Sequence, residues 1–167
     1  DFGDLTVARY YIAACSSSTR GVFGGGTTGS DSNVIDYITI DTAGNATDFG
    51  DLTVARYATA ACSSSTRGVF GGGTNSNIIE YITIATTGNA TDFGDLTLAR
   101  YYLAACSSST RGVFGGGTNI IDYITIATTG NATDFGDLTT GITGLAACSS
   151  STRGVFGGGD QTPNTIE

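Results

Sequence analysis

The chain of 167 residues contains no histidine, lysine, methionine or tryptophan, and it has one proline. The missing histidine removes the side chain that most often acts as a general base and as a transition-metal ligand. All seven basic residues are arginine, and the 15 acidic residues give an acidic net charge of −8. Because a nucleic-acid-binding protein needs a basic face, we expect no nucleic-acid partner. No apolar run approaches the ~18 residues of a membrane-spanning helix, so we expect no membrane span.

Glycine, by contrast, is abundant, and much of it belongs to a repeated segment. The twelve residues CSSSTRGVFGGG occur four times, beginning at Cys15, Cys62, Cys106 and Cys148. DFGDL begins at Asp1, Asp48, Asp92 and Asp134, which gives periods of 47, 44 and 42 residues. Periods of about 20–50 residues are typical of solenoids, propellers and other repeat arrays. We therefore describe one domain, 1–167, with repeats 1–47, 48–91, 92–133 and a truncated 134–167.

One segment accounts for the whole shortening of the period. Between GGG and the next apolar run lie seven, then four, then two residues, at 27–33, 74–77 and 118–119. A segment that varies in length between constant flanks behaves as a surface loop on a rigid scaffold.

Each repeat contains four predicted strands and no helical periodicity. In the first repeat they are strand a (8–15), strand b (20–23), strand c (34–40) and strand d (46–52). Their β-branched and aromatic residues, bounded by Gly-rich turns, are typical of strands. Strand c is apolar on both faces, and strand a carries small residues that suit a crowded position. These features predict an all-β β-propeller with about four blades, each a four-stranded antiparallel sheet. A flat β-solenoid is the alternative.

The segment LTVARYYIAACSSSTRGVFGGG, followed by VIDYITI, resembles the kelch repeat over nearly the whole chain. The resemblance implies a kelch-like propeller with strand a innermost. The chain lacks the tryptophan of that repeat, and we expect Phe49 to take its packing role. TDFGDLTVARY and CSSSTRGVFGGG are also similar to repeats in structural proteins of marine bacteriophages. That similarity favours a virion or other extracellular surface as the location.

Three arginines that open strand a are the predicted ligand-binding residues: Arg9, Arg56 and Arg100. The kelch resemblance implies that they lie near the propeller axis, where an anionic ligand could meet them. The alternative is ion pairing with the nearby Asp4, Asp51 and Asp95. The fourth repeat has Thr140 and Gly141 in this region. The arginines of the SSSTR turn, such as Arg20, are expected to face solvent or to bridge blades.

The remaining polar residues favour structural roles. The four cysteines, one per repeat, are predicted to be reduced and buried, because isolated thiols at this spacing converge on no metal and reach no disulfide partner. Asp1 and Asp4 are interpreted as turn acids rather than a calcium site, which needs more oxygen ligands. The Asn-Ala-Thr sequons at Asn45, Asn89 and Asn131 are interpreted as turn residues. We expect no metal and no cofactor.

The function predicted from these patterns is a non-enzymatic structural or recognition module with no catalytic residues. Its partner would be a protein or carbohydrate ligand on the face that carries the variable loops. The alternative is a self-assembling repeat protein, in which open strand edges pair between chains to form a ring or filament.

The sequence begins in the middle of a repeat, as a processed product or an excerpt would. We expect the N-terminal DFGDL to join the C-terminal strands as an outer strand and to close a four-bladed ring. A multi-chain assembly and an excerpt of a larger ring are the rival arrangements.

Overall fold

The structure, a computed structural model, describes residues 1–160 and 164–167. Within them the chain forms three antiparallel sheets of four strands and a fourth sheet of two strands. The predicted fold class, an all-β protein built from four-stranded antiparallel blades, is confirmed. None of the described residues belongs to a helix long and apolar enough to cross a membrane.

Strands follow chain order within every sheet, so each blade is an up-and-down meander. The first sheet contains β1 (Ala13–Ser16), β2 (Arg20–Gly24), β3 (Val34–Thr39) and β4 (Thr47–Asp51). The second contains β5 (Ala60–Ser63), β6 (Arg67–Gly71), β7 (Ile78–Thr83) and β8 (Thr91–Asp95). The third contains β9 (Leu103–Ser107), β10 (Arg111–Gly116), β11 (Ile120–Thr125) and β12 (Thr133–Asp137). The fourth contains β13 (Ala146–Ser149) and β14 (Gly154–Gly157).

The first strand of each blade is shorter than predicted. Strand a was expected from residue 8, but β1 begins at Ala13. Tyr11 has a φ of 58°, in the left-handed region, and a strand cannot continue through that conformation. Ala58 and Tyr102 repeat it, with φ values of 53° and 55°. The chain therefore turns before it enters the sheet.

The innermost strands of the four sheets lie side by side around one axis. The alanine, cysteine and serine residues of β1, β5, β9 and β13 line a shared cavity of about 200 Å³. The hydroxyl of Ser63 donates to the Ser16 carbonyl at 2.8 Å, and Ser107 and Ser149 each repeat that bond to the preceding sheet at 2.8 Å. Sheets set radially around a common line of small-residue strands have the arrangement of propeller blades.

At each boundary between sheets, one cysteine and one phenylalanine of the invariant segments pack against two glycines. A Cβ added at Gly68 would lie 2.7 Å from the Cys15 sulfur, and one at Gly24 would lie 2.7 Å from the Phe70 ring. The next two boundaries repeat both contacts at 2.5–2.9 Å: Cys62 on Gly112, Phe114 on Gly71, Cys106 on Gly154 and Phe156 on Gly115. A side chain does not fit at these glycines, which explains why glycine recurs at these positions of the segment.

The arginine of the invariant segment also joins neighbouring sheets. Arg20 stacks over the Tyr37 ring with its guanidinium carbon 4.4 Å from the centroid, and its Nη1 donates to the Ile84 carbonyl at 2.9 Å. Arg67 makes the same pair of contacts with Tyr81 and Ile126. Of the two roles expected for these arginines, facing solvent or bridging blades, the structure shows bridging at two boundaries.

The outer strands of the first two sheets, β4 and β8, are each hydrogen-bonded to the sheet that follows. Gly88 and Ala90 donate to the carbonyls of Phe49 and Asp51 at 2.7 and 2.8 Å, and the Asp51 amide donates to Oδ1 of Asn89 at 3.1 Å. Asn131 accepts from Asp95 in the same way. These asparagines therefore fix the position of the preceding strand, a structural role close to the predicted turn role.

The N-terminal DFGDL occupies the corresponding position on the first sheet. Gly44 and Ala46 donate to the carbonyls of Phe2 and Asp4, both at 2.8 Å. At the other end, Gly157 pairs with Ile166, and β13 and β14 form a sheet of only two strands. Among residues 1–160 and 164–167, residues 1–5 hydrogen-bond to the first sheet and to neither β13 nor β14. Closure of the ring within one chain stays a prediction.

The four cysteines are free but not equally buried. Cys62 and Cys106 are buried, Cys15 is half-buried and Cys148 is exposed. Burial raises the pKa of the Cys15 thiol to about 12, and it also raises the pKa values of Cys62 and Cys106. The prediction of four buried thiols is met in part at Cys15 and is wrong at Cys148, because in the part of the chain that the structure describes no further sheet packs on that face of β13.

Candidate ligand-binding site

The three predicted arginines form three equivalent buried ion pairs. Arg9 pairs with Asp36 at 2.5 Å, Arg100 pairs with Asp122 at 2.6 Å, and Arg56 pairs with Glu80. The six side chains are 0–1% exposed. The expected partners Asp4, Asp51 and Asp95 are therefore wrong. The acid comes from strand c of the same sheet, which the register of β2 with β3 brings under the arginine.

Each arginine also holds the two ends of a variable loop. Nη1 of Arg56 donates to the carbonyl of Gly72 at 2.9 Å, before the loop, and to that of Ile78 at 2.7 Å, after it. Arg9 bonds Gly25 and Val34 in the same way across a longer loop. The same arginine contacts therefore suit loops of different length, because they involve only the backbone carbonyls that flank each loop.

Burial lowers the pKa of Arg56 and of Arg100, and the partner acids Glu80 and Asp122 oppose that shift. In each of the three arginines Nε is buried without a hydrogen-bond partner among the described residues. None of the three guanidinium groups faces solvent. Ligand binding by these arginines remains a prediction, and the contacts seen are those of loop anchors.

The fourth sheet lacks this ion pair because its arginine position holds Ile142. The Gly117 amide donates to the Ile142 carbonyl at 2.8 Å, as the Gly73 amide donates to that of Arg100 at 2.9 Å. The equivalent of Arg9 is therefore Ile142, which is 1% exposed, and not Thr140 or Gly141.

The variable loops lie at the same edge of the sheets as the arginine segments, as predicted. Tyr10 and Thr27 exchange two backbone hydrogen bonds of 3.2 and 2.9 Å. In the second repeat the Tyr57 amide donates to Oγ1 of Thr74 at 3.0 Å. We call this edge the loop edge. It is opposite the SSST turns, whose serines surround an open depression of about 330 Å³.

Five tyrosines gather at the loop edge. The rings of Tyr11, Tyr57 and Tyr102 lie 5.5–6.3 Å apart between centroids, largely edge to face. Tyr10 adds to this group beside Tyr11 at 5.8 Å, and Tyr101 beside Tyr102 at 5.0 Å. We call these five residues the tyrosine cluster. Tyr10, Tyr11 and Tyr101 are 58%, 53% and 39% exposed, so the cluster presents aromatic surface to solvent.

A chain of backbone hydrogen bonds between sheets supports the cluster. The Ala58 amide donates to the Tyr11 carbonyl, the Tyr102 amide to Ala58, and the Gly144 amide to Tyr102, each at 3.0 Å. All four residues have positive φ. A tyrosine in this conformation is strained by roughly 1–3 kcal/mol, so the surrounding sheets must hold Tyr11 and Tyr102 in place.

The sequence contains a pattern that could have predicted this cluster, although the cluster was not predicted. Tyrosine follows the arginine in three repeats, as RYY, RYA and RYY. These residues were assigned to strand a, where alternate side chains would have pointed to opposite faces. The left-handed turn at Tyr11 instead leaves them at the loop edge.

In comparisons with known proteins, no protein-family model and no curated protein matches this chain.

Proposed function

We propose that the protein is a non-enzymatic, kelch-like recognition module that binds carbohydrate at the loop edge. The observation that carries this proposal is the exposed tyrosine cluster beside loops of varying length. Display on a virion or cell surface is part of the proposal and rests on the resemblance to phage repeats.

The chemistry of the loop edge supports a neutral, hydroxyl-rich ligand. Tyrosine offers a large, rigid, amphipathic surface with little conformational entropy to lose, and serine, threonine and asparagine offer adaptable hydrogen bonds. The loops at 27–33 and 74–77 are made of such polar residues with one glycine and one acid, Asp31. A net charge of −8 disfavours an anionic ligand.

A glycan array tests the proposal with the intact chain. We expect the wild type to retain a set of glycans, and a variant with Tyr10→Ala, Tyr11→Gly and Tyr101→Ala to lose roughly tenfold or more in affinity, as aromatic contact residues do. Glycine at position 11 keeps the positive φ without strain.

The matched control carries Ser18→Ala, Ser65→Ala and Ser109→Ala at the opposite edge and should bind as the wild type does. Both variants are compared with the wild type for thermal unfolding. Glycan binding that survives loss of the tyrosines would overturn the assignment of the site. An array without any retained glycan, beside a protein ligand captured through the tyrosines, would overturn the ligand class.

A further inference from the structure

The two end sheets carry unpaired halves of the interface that joins the internal sheets. We define the front face of a sheet as the side that packs on the preceding sheet, and the back face as the side that packs on the following one. At the first boundary, Phe70, Ile82 and Ile84 of the second sheet pack against Val22, Ile35 and Phe49 of the first.

Within residues 1–160 and 164–167, no other sheet covers the front face of the first sheet. Ile40 is 40% exposed, whereas its equivalents Ile84 and Ile126 are each 1% exposed. Phe23 is half-buried, whereas Phe70 and Phe114 are fully buried. A Cβ at Gly21 would meet only side chains of its own sheet, since no cysteine sulfur lies on it as Cys15 lies on Gly68.

Among the residues that the structure describes, none covers the back face of the last sheet. Ile166 is 76% exposed, whereas its equivalents Ile35 and Ile79 are 0% exposed. Cys148 is exposed, and Gly157 carries no phenylalanine ring such as the one Phe70 places on Gly24. Each group missing from one end face is thus present and unpaired on the other.

The N-terminal segment is already placed to complete such a boundary. Residues 2–5 lie beside the first sheet and, with Ile12, Phe23, Ile38 and Ala46, enclose a largely apolar gap of about 240 Å³. At the internal boundary, Val22 and Ile35 occupy the corresponding space. Their equivalents on the last sheet are Val155 and Ile166, which are half-buried and exposed.

We propose that the front face of one copy of this chain docks on the back face of a second copy. In that contact Phe23 packs on Gly157, Cys148 packs on Gly21, and Ile166 enters the gap beside Phe2. This contact would continue the cysteine-glycine and phenylalanine-glycine interface that the chain forms three times within itself. Such a contact is heterologous, so it propagates into a ring or a filament. It is concentration-dependent, because separate copies lose freedom on association.

Sedimentation of two single-face variants tests this proposal. Ile40→Glu places a charge on the front face, and Ile166→Glu places one on the back face; both sites are exposed in the single chain, so folding should survive. Leu98→Glu serves as the control, because Leu98 is exposed (45%, close to the 40% of Ile40) and lies outside both faces. We expect wild type and control to grow in mass with concentration, and each face variant to stay at the mass of one chain.

Mixing the two face variants is the decisive step. Each retains the face that the other lacks, so the mixture should form a one-to-one dimer and nothing larger. A mixture that stays at single-chain mass would overturn the proposal. So would a wild type that never associates, or association that Leu98→Glu abolishes as fully as the face variants do.

Discussion

Three of the four invariant cysteines place the sulfur atom against a glycine of the following sheet, and this contact determines how the thiol behaves. Cys15 lies on Gly68, and Cys62 lies on Gly112. A thiolate buried there would lack solvation, which is why the pKa of the Cys15 thiol rises from 9.0 to about 12. The cysteine acts as a small apolar side chain that also specifies where the next glycine must be.

Alkaline pH should weaken the fold through Cys15. Its pKa in the folded chain is about 12 and in the unfolded chain about 9.0, so the folded state keeps the proton that the unfolded state releases. The stabilisation is complete below pH 9 and is lost as the pH rises through 12. Urea unfolding of the wild type and Cys15→Ala at pH 8 and 10 measures this. The fall in unfolding free energy should be smaller in Cys15→Ala, and an equal fall in both would contradict the assignment.

At the scale of residues, the sequence predicted whether a side chain is buried better than it predicted which residue that side chain contacts. It predicted small buried cysteines because four copies of one residue imply four similar environments. It did not identify Asp36 as the partner of Arg9, since Asp4 is nearer in the chain and only the register of strands b and c reveals the pairing. Exposure of Cys148 depends on what covers the last sheet, which no local pattern encodes.

The sequence predicted some strands of the repeat more accurately than others. β3 and β4 lie within one residue of their predicted bounds, because β-branched and aromatic residues and the flanking turns mark them clearly. Strand a was too long because the left-handed backbone of Tyr11 is not visible in a residue type that normally favours strands. The tyrosine cluster was missed for that same reason.

Two glycines of identical local sequence should respond differently to the same substitution. A Cβ at Gly112 would lie 2.5 Å from the Cys62 sulfur, whereas Gly21 faces no sulfur; both have an isoleucine side chain at 3.1 Å. We expect Gly112→Ala to lower the unfolding free energy by roughly 1–3 kcal/mol, the usual cost of overpacking.

Gly21→Ala is the matched control and should cost clearly less. Chemical unfolding at a protein concentration where only single chains are present makes the comparison. Equal destabilisation by the two alanines would show that the local strand, rather than the contact between sheets, sets the requirement for glycine.

The whole molecule is a series of sheets joined by one interface used three times. Each use contains a sulfur on a glycine and a phenylalanine ring on a glycine, and the first two uses add hydrogen bonds from the outer strand of one sheet to the next. The repeated segment is invariant because it supplies both halves of that interface. The variable loops and the tyrosine cluster lie at the loop edge, outside these contacts, where sequence can change without altering the packing.

At this scale the sequence could predict an architecture of similar sheets, but it could not predict whether the sheets close into a ring. Four near-identical repeats of strand-forming sequence predict four similar sheets. Whether the ends meet depends on the rotation between successive sheets, which the sequence does not state. The bonds that Phe2 and Asp4 make with Gly44 and Ala46 show that the N-terminal segment belongs beside the first sheet.

A disulfide across the first boundary tests the repeated interface most directly. In Gly68→Cys the new side chain starts 2.7 Å from the Cys15 sulfur, so mild oxidation should join the two residues after a small adjustment. Gly21→Cys, which has the same local sequence and no facing sulfur in its own chain, is the control and should leave Cys15 free in single chains. Peptide mapping without reduction is the measurement. We expect a peptide pair linked through positions 15 and 68. Recovery of both thiols in free form would contradict the contact between the first two sheets.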